Sequence, residues 1–290
     1  MTTPLKKINS YFPGKYSNGI RFKFLMIFFM LLGYSAASLS AEFSLGIVPQ
    51  FDSRKIEEAW APIAREIELK TGHRIILRGS PTIPEFEKFL YKGEFDFAYM
   101  NPYHFVQAHK SQRYTALLRD HAEPLQGIIV VRNDSPIKRV EELHGRKVAM
   151  PAPNALGAAL IPRAEFARKF KIAPEISYVK SHASVYRSVV AGTVDAGGGI
   201  DSTLEAEIPL IKNQLRILYK TVALPTHPIA AHSRIPSKIS RQFQEVILAY
   251  AETTEGRAQL SKVPILKIGI AATSEYKVLE NMQLEEFFVR

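Results

Sequence analysis

From residue 43 onward the chain alternates short apolar runs with longer amphipathic ones. Residues 43–48 are apolar enough for a buried strand. Over 56–70, Ile56, Trp60, Ile63 and Ile67 fall on one helical face, and Gly72 supplies the stop. Strands are predicted at 73–78 and 95–99, with a helix between them over 84–91 carrying Phe86, Phe89 and Leu90. Pro102 stands where a helix begins, since its missing N–H is no loss in a first turn. A strand follows at 127–132. The pattern then repeats in type: a helical turn at 140–143, a strand at 147–150, a long helix at 155–170, a strand at 176–179, a helix at 184–191 and a strand at 215–222. An amphipathic helix over 236–254 leads to the end. Strands alternating with helices predict an α/β protein of two lobes, each a mostly parallel sheet flanked by helices, with a ligand cleft between them.

The first forty residues follow a different rule. Lys6, Lys7, Lys15, Arg21 and Lys23 precede an apolar run over 24–32, and small residues follow over 35–41, with no acidic residue among them. Basic, apolar, then small is the order of a secretory signal. A membrane span needs about 20 apolar residues, and this run breaks at Gly33. We therefore expect a signal peptide over 1–41, cleaved between Ala37 and Ala41, and a periplasmic mature protein. Removal takes five of the ten net positive charges. The remaining excess is scattered and lacks a basic stretch with interleaved aromatics, so nucleic acid is not an expected partner. The chain has no cysteine, so stability must come from a core rather than disulfides, and no cysteine marks a lipid anchor at the cleavage zone. A monomer is expected. Polar or proline-marked stretches at Glu123–Pro124 and Leu224–Pro225 predict two crossings. They divide the mature chain into a lobe of 42–125 with 225–290 and a lobe of 126–224.

Candidate chemistry clusters where strands end. Tyr99 ends the strand at 95–99, and Met100, Asn101, Tyr103 and His104 follow it, at the carboxyl edge where open α/β sheets bind ligands. The same residues could equally form an aromatic helix start in the core. Asn154, Ala155, Leu156 and Gly157 lie between a strand and a helix, whose free N–H groups and dipole favour an anion; alternatively Asn154 is only an N-cap. Ser181 and His182 open the next helix, and His182 could donate to an anion. The glycines at 197–199 permit tight turns or close approach of a ligand, and Asp195 before them is expected to be structural, at a strand start. His227 stands at the second crossing. None of the eight histidines has the spacing of a metal pair, and there is neither a Gly-x-Ser-x-Gly elbow nor a thiol nucleophile. We expect no cofactor, no metal and no catalysis.

Over nearly its whole mature length the chain resembles the phosphonate, phosphite and phosphate receptors of ABC importers, which are type II periplasmic binding proteins. The resemblance is carried by 45–49 (Leu-Gly-Ile-Val-Pro), 95–103, 135–137, 142–149, 153–154 running to 160–162, 181–182 and 194–196. It implies hinge closure on a small anionic ligand and delivery to an inner-membrane permease. It also implies departures. The family's hydroxyl-rich anion turn falls on Ala155, Leu156 and Gly157, so only backbone N–H groups could serve. Tyrosines of phosphonate binders fall near Ile83 and Met100, the family histidine on His182, and the amine-binding acid on His227, where an aminophosphonate would meet no carboxylate. A second role on the same fold stays open: a sensor component read by a membrane kinase or cyclase, with a non-phosphonate ligand.

Overall fold

A computed structural model describes residues 1–2, 40–263 and 265–289 of the protein. The expected signal segment lies almost entirely outside the described residues. No helix among the described residues is long and apolar enough to cross a membrane.

Residues 40–290 form one compact unit. In chain order it contains β1 (Glu42–Ile47), α1 (Ser53–Thr71), β2 (Arg74–Arg78), α2 (Ile83–Tyr91), β3 (Phe97–Tyr99), α3 (Pro102–Gln112), β4 (Thr115–Asp120), β5 (Gly127–Arg132) and β6 (Lys147–Met150). Next comes α4 over 156–170, in which π-helical turns at Leu156–Leu160 and Phe166–Phe170 flank an α-helical Ile161–Glu165. The remainder comprises β7 (Glu175–Tyr178), α5 (His182–Val190), β8 (Ala196–Ile200), α6 (Asp201–Glu205), α7 (Pro209–Lys212), β9 (Leu215–Lys220), β10 (Pro228–Ala231), α8 (Ser237–Ala251), α9 (Thr254–Leu260), β11 (Ile268–Ile270) and the 3₁₀ segment Thr273–Met282.

The strands make two sheets, ordered β11-β4-β10-β3-β1-β2 and β7-β6-β8-β5-β9. This is the expected two-sheet α/β architecture, with one correction: the sheets are mixed, not mostly parallel. β1 runs parallel to β2 and β3, and β6 to β7 and β8, because a helix carries the chain back each time. β10 runs antiparallel to β3 and β4, and β5 to β8 and β9. β5 and β10 are the first strands after each passage between sheets, so they enter from the opposite side. The two passages lie side by side, joined by reciprocal 2.9 Å bonds between the backbones of Leu125 and Leu224.

Local signals explain the helices. Asp52, Thr82, Asn101 and Ser181 each cap a helix by accepting an N–H with the side chain. Gly72 ends α1 at φ 72°, a left-handed turn that suits glycine. The glycines at 197–199 form neither a turn nor a ligand approach. They lie inside β8, where a Cβ at Gly197 would strike Val185, one at Gly198 the carbonyl oxygen of Ala158, and one at Gly199 the Tyr186 hydroxyl. Gly127 and Gly157 meet backbone to backbone in the same way. These contacts seat the first turn of α4 directly on β5 and β8.

Candidate functional site

Three helix starts converge between the sheets. Asn101 caps α3, with Oδ1 accepting from His104 N at 2.8 Å. Ser181 caps α5, with Oγ accepting from Ser184 N at 3.1 Å, which turns the next residue, His182, inward. α4 starts at Leu156, and its cap, Ala155, has no side chain able to accept. The first α4 donors with partners are Ala159 N and Leu160 N, both on Ala155 O. The N–H groups of Leu156, Gly157 and Ala158 therefore have no acceptor among the described residues, although all three residues are buried. Buried N–H groups are almost always paired, so three in a row at a helix start mark a place for an acceptor.

They open on a cavity of about 20 Å³ lined by Asn101, Ala155, Leu156, Gly157, Ala158, His182 and His227, with Val48, Gln50, Ile83, Leu125 and Ile200 completing the wall. That is little more than one water's worth of space. No charged side chain lines it. A contiguous cleft of about 580 Å³ shares Gln50, Leu125, Ile200 and His227 with it and is also lined by Tyr99. Four carboxylates line that cleft. Asp120 accepts from Leu266 N and Lys267 N, Asp201 pairs with Lys220 at 2.8 Å, and Glu205 pairs with Lys212. Glu123 is the fourth. Carboxylates thus share this cleft with His227, contributed by residues that no local motif singled out.

Both cavity histidines are held neutral. Burial pushes His182 down to about 4. Burial, with lesser contributions from the charges His104 and His182 would carry, pushes His227 down to about 3. His182 Nδ1 lies 3.3 Å from Thr203 Oγ1, which donates to Ile200 O at 2.9 Å and lies 2.7 Å from the Tyr186 hydroxyl. With the threonine proton spent on Ile200, the consistent assignment puts the imidazole proton on Nδ1 and leaves the Nε2 lone pair free. His227 Nε2 lies 3.2 Å from Gln50 Nε2, and its ring stacks on Tyr99 at 5.4 Å.

The predicted site residues divide accordingly. Asn101, Ala155, Leu156, Gly157, His182 and His227 come together around the small cavity. Tyr99 faces the larger cleft. Met100 is fully buried, its N–H on Pro228 O, and Tyr103 packs on Phe288 at 5.5 Å; neither lines a cavity described above. Ser181 acts as a cap. Asn154 is not the N-cap of α4. It spends its side chain on Glu87 and Val289, and its carbonyl accepts from Asn101 Nδ2 at 3.2 Å. Gln50, Leu125 and Ile200 were missed. The only hint of Gln50 was its place just past a strand at the carboxyl edge.

Comparison with known proteins gives the architecture its relatives. The family model described as "ABC transporter, phosphonate, periplasmic substrate-binding protein" matches residues 45–276. No curated protein matches. A binding-protein component of an ABC phosphonate transporter from Pseudomonas aeruginosa is 15% identical, with a TM-score of 0.76 over 84% of this chain and 86% of its own. PhnD1 from Prochlorococcus marinus, solved with methylphosphonate, is 14% identical, with a TM-score of 0.74 over 83% and 96%. A Xanthomonas citri protein bound to chloride is 16% identical, with a TM-score of 0.68 over 86% and 99%. At such identities the structures establish the type II binding-protein fold. The family match supplies the role, and with it the chain belongs to the periplasmic substrate-binding proteins of phosphonate ABC transporters, as a solute-binding receptor.

Proposed function

We propose that the ligand is a small oxyanion of the phosphonate, phosphite or phosphate type, held head-first at the start of α4. The observation that carries this reading is the row of unpaired N–H groups at Leu156, Gly157 and Ala158, facing a cavity with no carboxylate in its wall. A helix start offers these donors together with the positive end of the helix dipole. The family's lost hydroxyls are thereby replaced by backbone, which needs no side chain. Asn101 reaches the head group from the opposite half. His182 and His227 serve it once a proton arrives, carried by the ligand or taken from water.

A tetrahedral oxyanion exceeds about 20 Å³, so the halves must part to admit it. We take the two passages at Leu125 and Leu224 as the hinge. The lobes are then 42–125 with 225–290, and 126–224. The mature protein, its signal cleaved after 1–41, acts as a monomer without catalysis and hands its ligand to an inner-membrane permease.

A thermal-shift screen of the mature protein against phosphite, phosphate, methylphosphonate, 2-aminoethylphosphonate and uncharged metabolites tests the reading. At 100 times its dissociation constant a ligand adds about 2.7 kcal/mol. Stabilisation by at least one oxyanion is expected. A response confined to uncharged compounds overturns the assignment.

A further inference from the structure

The end of the chain crosses from one half to the other. The 3₁₀ segment Thr273–Met282 lies on α3, where Lys110 pairs with Glu280 at 3.6 Å and the Tyr276 ring packs on Phe105 at 4.8 Å. Past it the chain meets α4. Arg168 donates to the carbonyl oxygens of Met282 at 3.1 Å and Gln283 at 2.9 Å, pairs with Glu286 at 2.8 Å, and lies 4.9 Å over the Phe287 ring. Phe288 packs between Tyr91 and Tyr103 on the α2–α3 side, at 6.3 and 5.5 Å. Val289 then closes on Asn154. Its N–H donates to Asn154 Oδ1 at 2.9 Å, and its carbonyl accepts from Nδ2 at 2.7 Å. The same Nδ2 reaches Glu87 Oε2 on α2 at 3.1 Å.

We infer that the tail, Asn154 and Arg168 form a clasp that sets how readily the two halves close, and so tunes ligand affinity from outside the cavity. Asn154 and Arg168 are positioning residues: neither lines the 20 Å³ cavity or the 580 Å³ cleft. Asn154 directly precedes the α4 cap, so every partner it holds in the other half fixes the anion cradle against that half. The clasp is poised rather than locked. Glu87 Oε1 lies 2.7 Å from His104 Nε2 without the alignment of a hydrogen bond. His104 Nδ1 and the Tyr91 hydroxyl are likewise buried beside it without partners among the described residues. Holding these polar groups away from water carries a cost that offsets the bonds the clasp makes. A ligand bridging the halves then tips a nearly balanced equilibrium.

Because the chain has no cysteine, one label pair reads the closure. Leu69 on α1 and Leu210 on α7 are exposed, and spin labels at Leu69→Cys and Leu210→Cys report the distance between halves by pulsed electron resonance. The same pair is placed in Arg168→Ala and in a chain ending at Glu286. Without ligand, both variants are expected to shift toward longer distances. Phosphite is expected to restore the short one at about tenfold higher concentration, as when the competent fraction falls to about a tenth. Arg168→Lys, which keeps the charge but not the fork, should recover only part of the shift. Should the shortened chain fail to fold, Arg168→Ala carries the test alone. Distances unchanged in Arg168→Ala, with folding confirmed by circular dichroism, overturn the clasp. The distances need no ligand, so a receptor that binds no oxyanion defeats the proposed function without deciding this point.

Discussion

Asn101 and Asn154 hold corresponding places in the two halves, each between a strand of a parallel pair and the helix after it, yet they do opposite work. Asn101 is the N-cap of α3, at φ −68° and ψ 157°, with Oδ1 on His104 N. Asn154 stands one residue too early. Ala155 is the cap, and the Asn154 side chain is free for Glu87 and Val289, far away in sequence. The helix that Asn101 starts is closed by a side chain. The helix that Asn154 precedes is left open, its N–H groups available to a ligand. A shift of a single residue relative to the helix start turns a local cap into a long-range clasp.

The sharpest way to break this contrast is to lift α4 from its seat. Gly198→Val would drive a side chain into the Ala158 carbonyl. A loss of about 3 kcal/mol is expected, read as a lower urea midpoint or failure to accumulate. Gly145→Ala, at an open position with φ 68°, pays only for backbone conformation, about 1 kcal/mol. Equal losses would show that α4 is not packed on the strand backbone.

Acid compares the halves through their histidines, His182 opening α5 and His227 preceding β10. Both are held below the ordinary 6.5 by burial, to about 4 and about 3. Unfolded chains therefore take up these protons first as pH falls. The stability each neutral imidazole contributes is complete above pH 6.5 and drains between 6.5 and its folded value. The slope is about 1.4 kcal/mol per pH unit for each. Urea titrations between pH 7 and 5 should show it, reduced in His182→Asn. A bound oxyanion acts in the opposite direction by favouring the protonated ring, so calorimetry in buffers of different ionisation enthalpy should record proton uptake on binding. Uptake unchanged in His182→Asn would remove that ring from the ligand's surroundings.

The same change at the two asparagines should separate them further. Asn154→Asp sets a carboxylate against Glu87 and loses the amide donor, costing about 2 kcal/mol at pH 8. Much of this should return in acid, where the introduced carboxyl is protonated. Asn101→Asp keeps the α3 cap, since aspartate caps as well as asparagine, but it faces an oxyanion with like charge. Affinity for phosphite should fall about tenfold or more, with little pH-dependent recovery of stability. Matching behaviour would mean that the two residues share one role.

The smallest effect is the cap itself. Asn101→Ala should cost about 1 kcal/mol, or about 2–4 °C in melting temperature for a chain this size. Asn101→Ser restores the cap without the bond to Asn154 O. If it fails to recover stability, the bond to Asn154 O rather than the cap is what Asn101 supplies.

Local features were legible from the sequence. The α1 face, the caps at Asn101 and Ser181, the stop at Gly72 and strands such as β5 follow from periodicity and turn chemistry acting over a few residues. β10, a four-residue Pro-Ile-Ala-Ala strand, and β11, of three residues, are too short to carry a period. β4 was missed as well. Asp195 marks the start of β8, but the strand's glycines answer to helices packed on both faces, which only the assembled fold supplies.

The sequence by itself determined the strand-and-helix alternation, the front-end signal pattern and the strand-end positions of Asn101, Ala155–Gly157 and His182, because each rests on neighbours within one turn or strand. Tertiary structure alone decided which of these share a cavity, that Gln50, Leu125 and Ile200 complete its wall, and that burial keeps His182 and His227 neutral. It alone joined Asn154 to Val289, 135 residues away. Desolvation and long-range hydrogen bonds depend on what the rest of the chain brings alongside, and no local pattern encodes that.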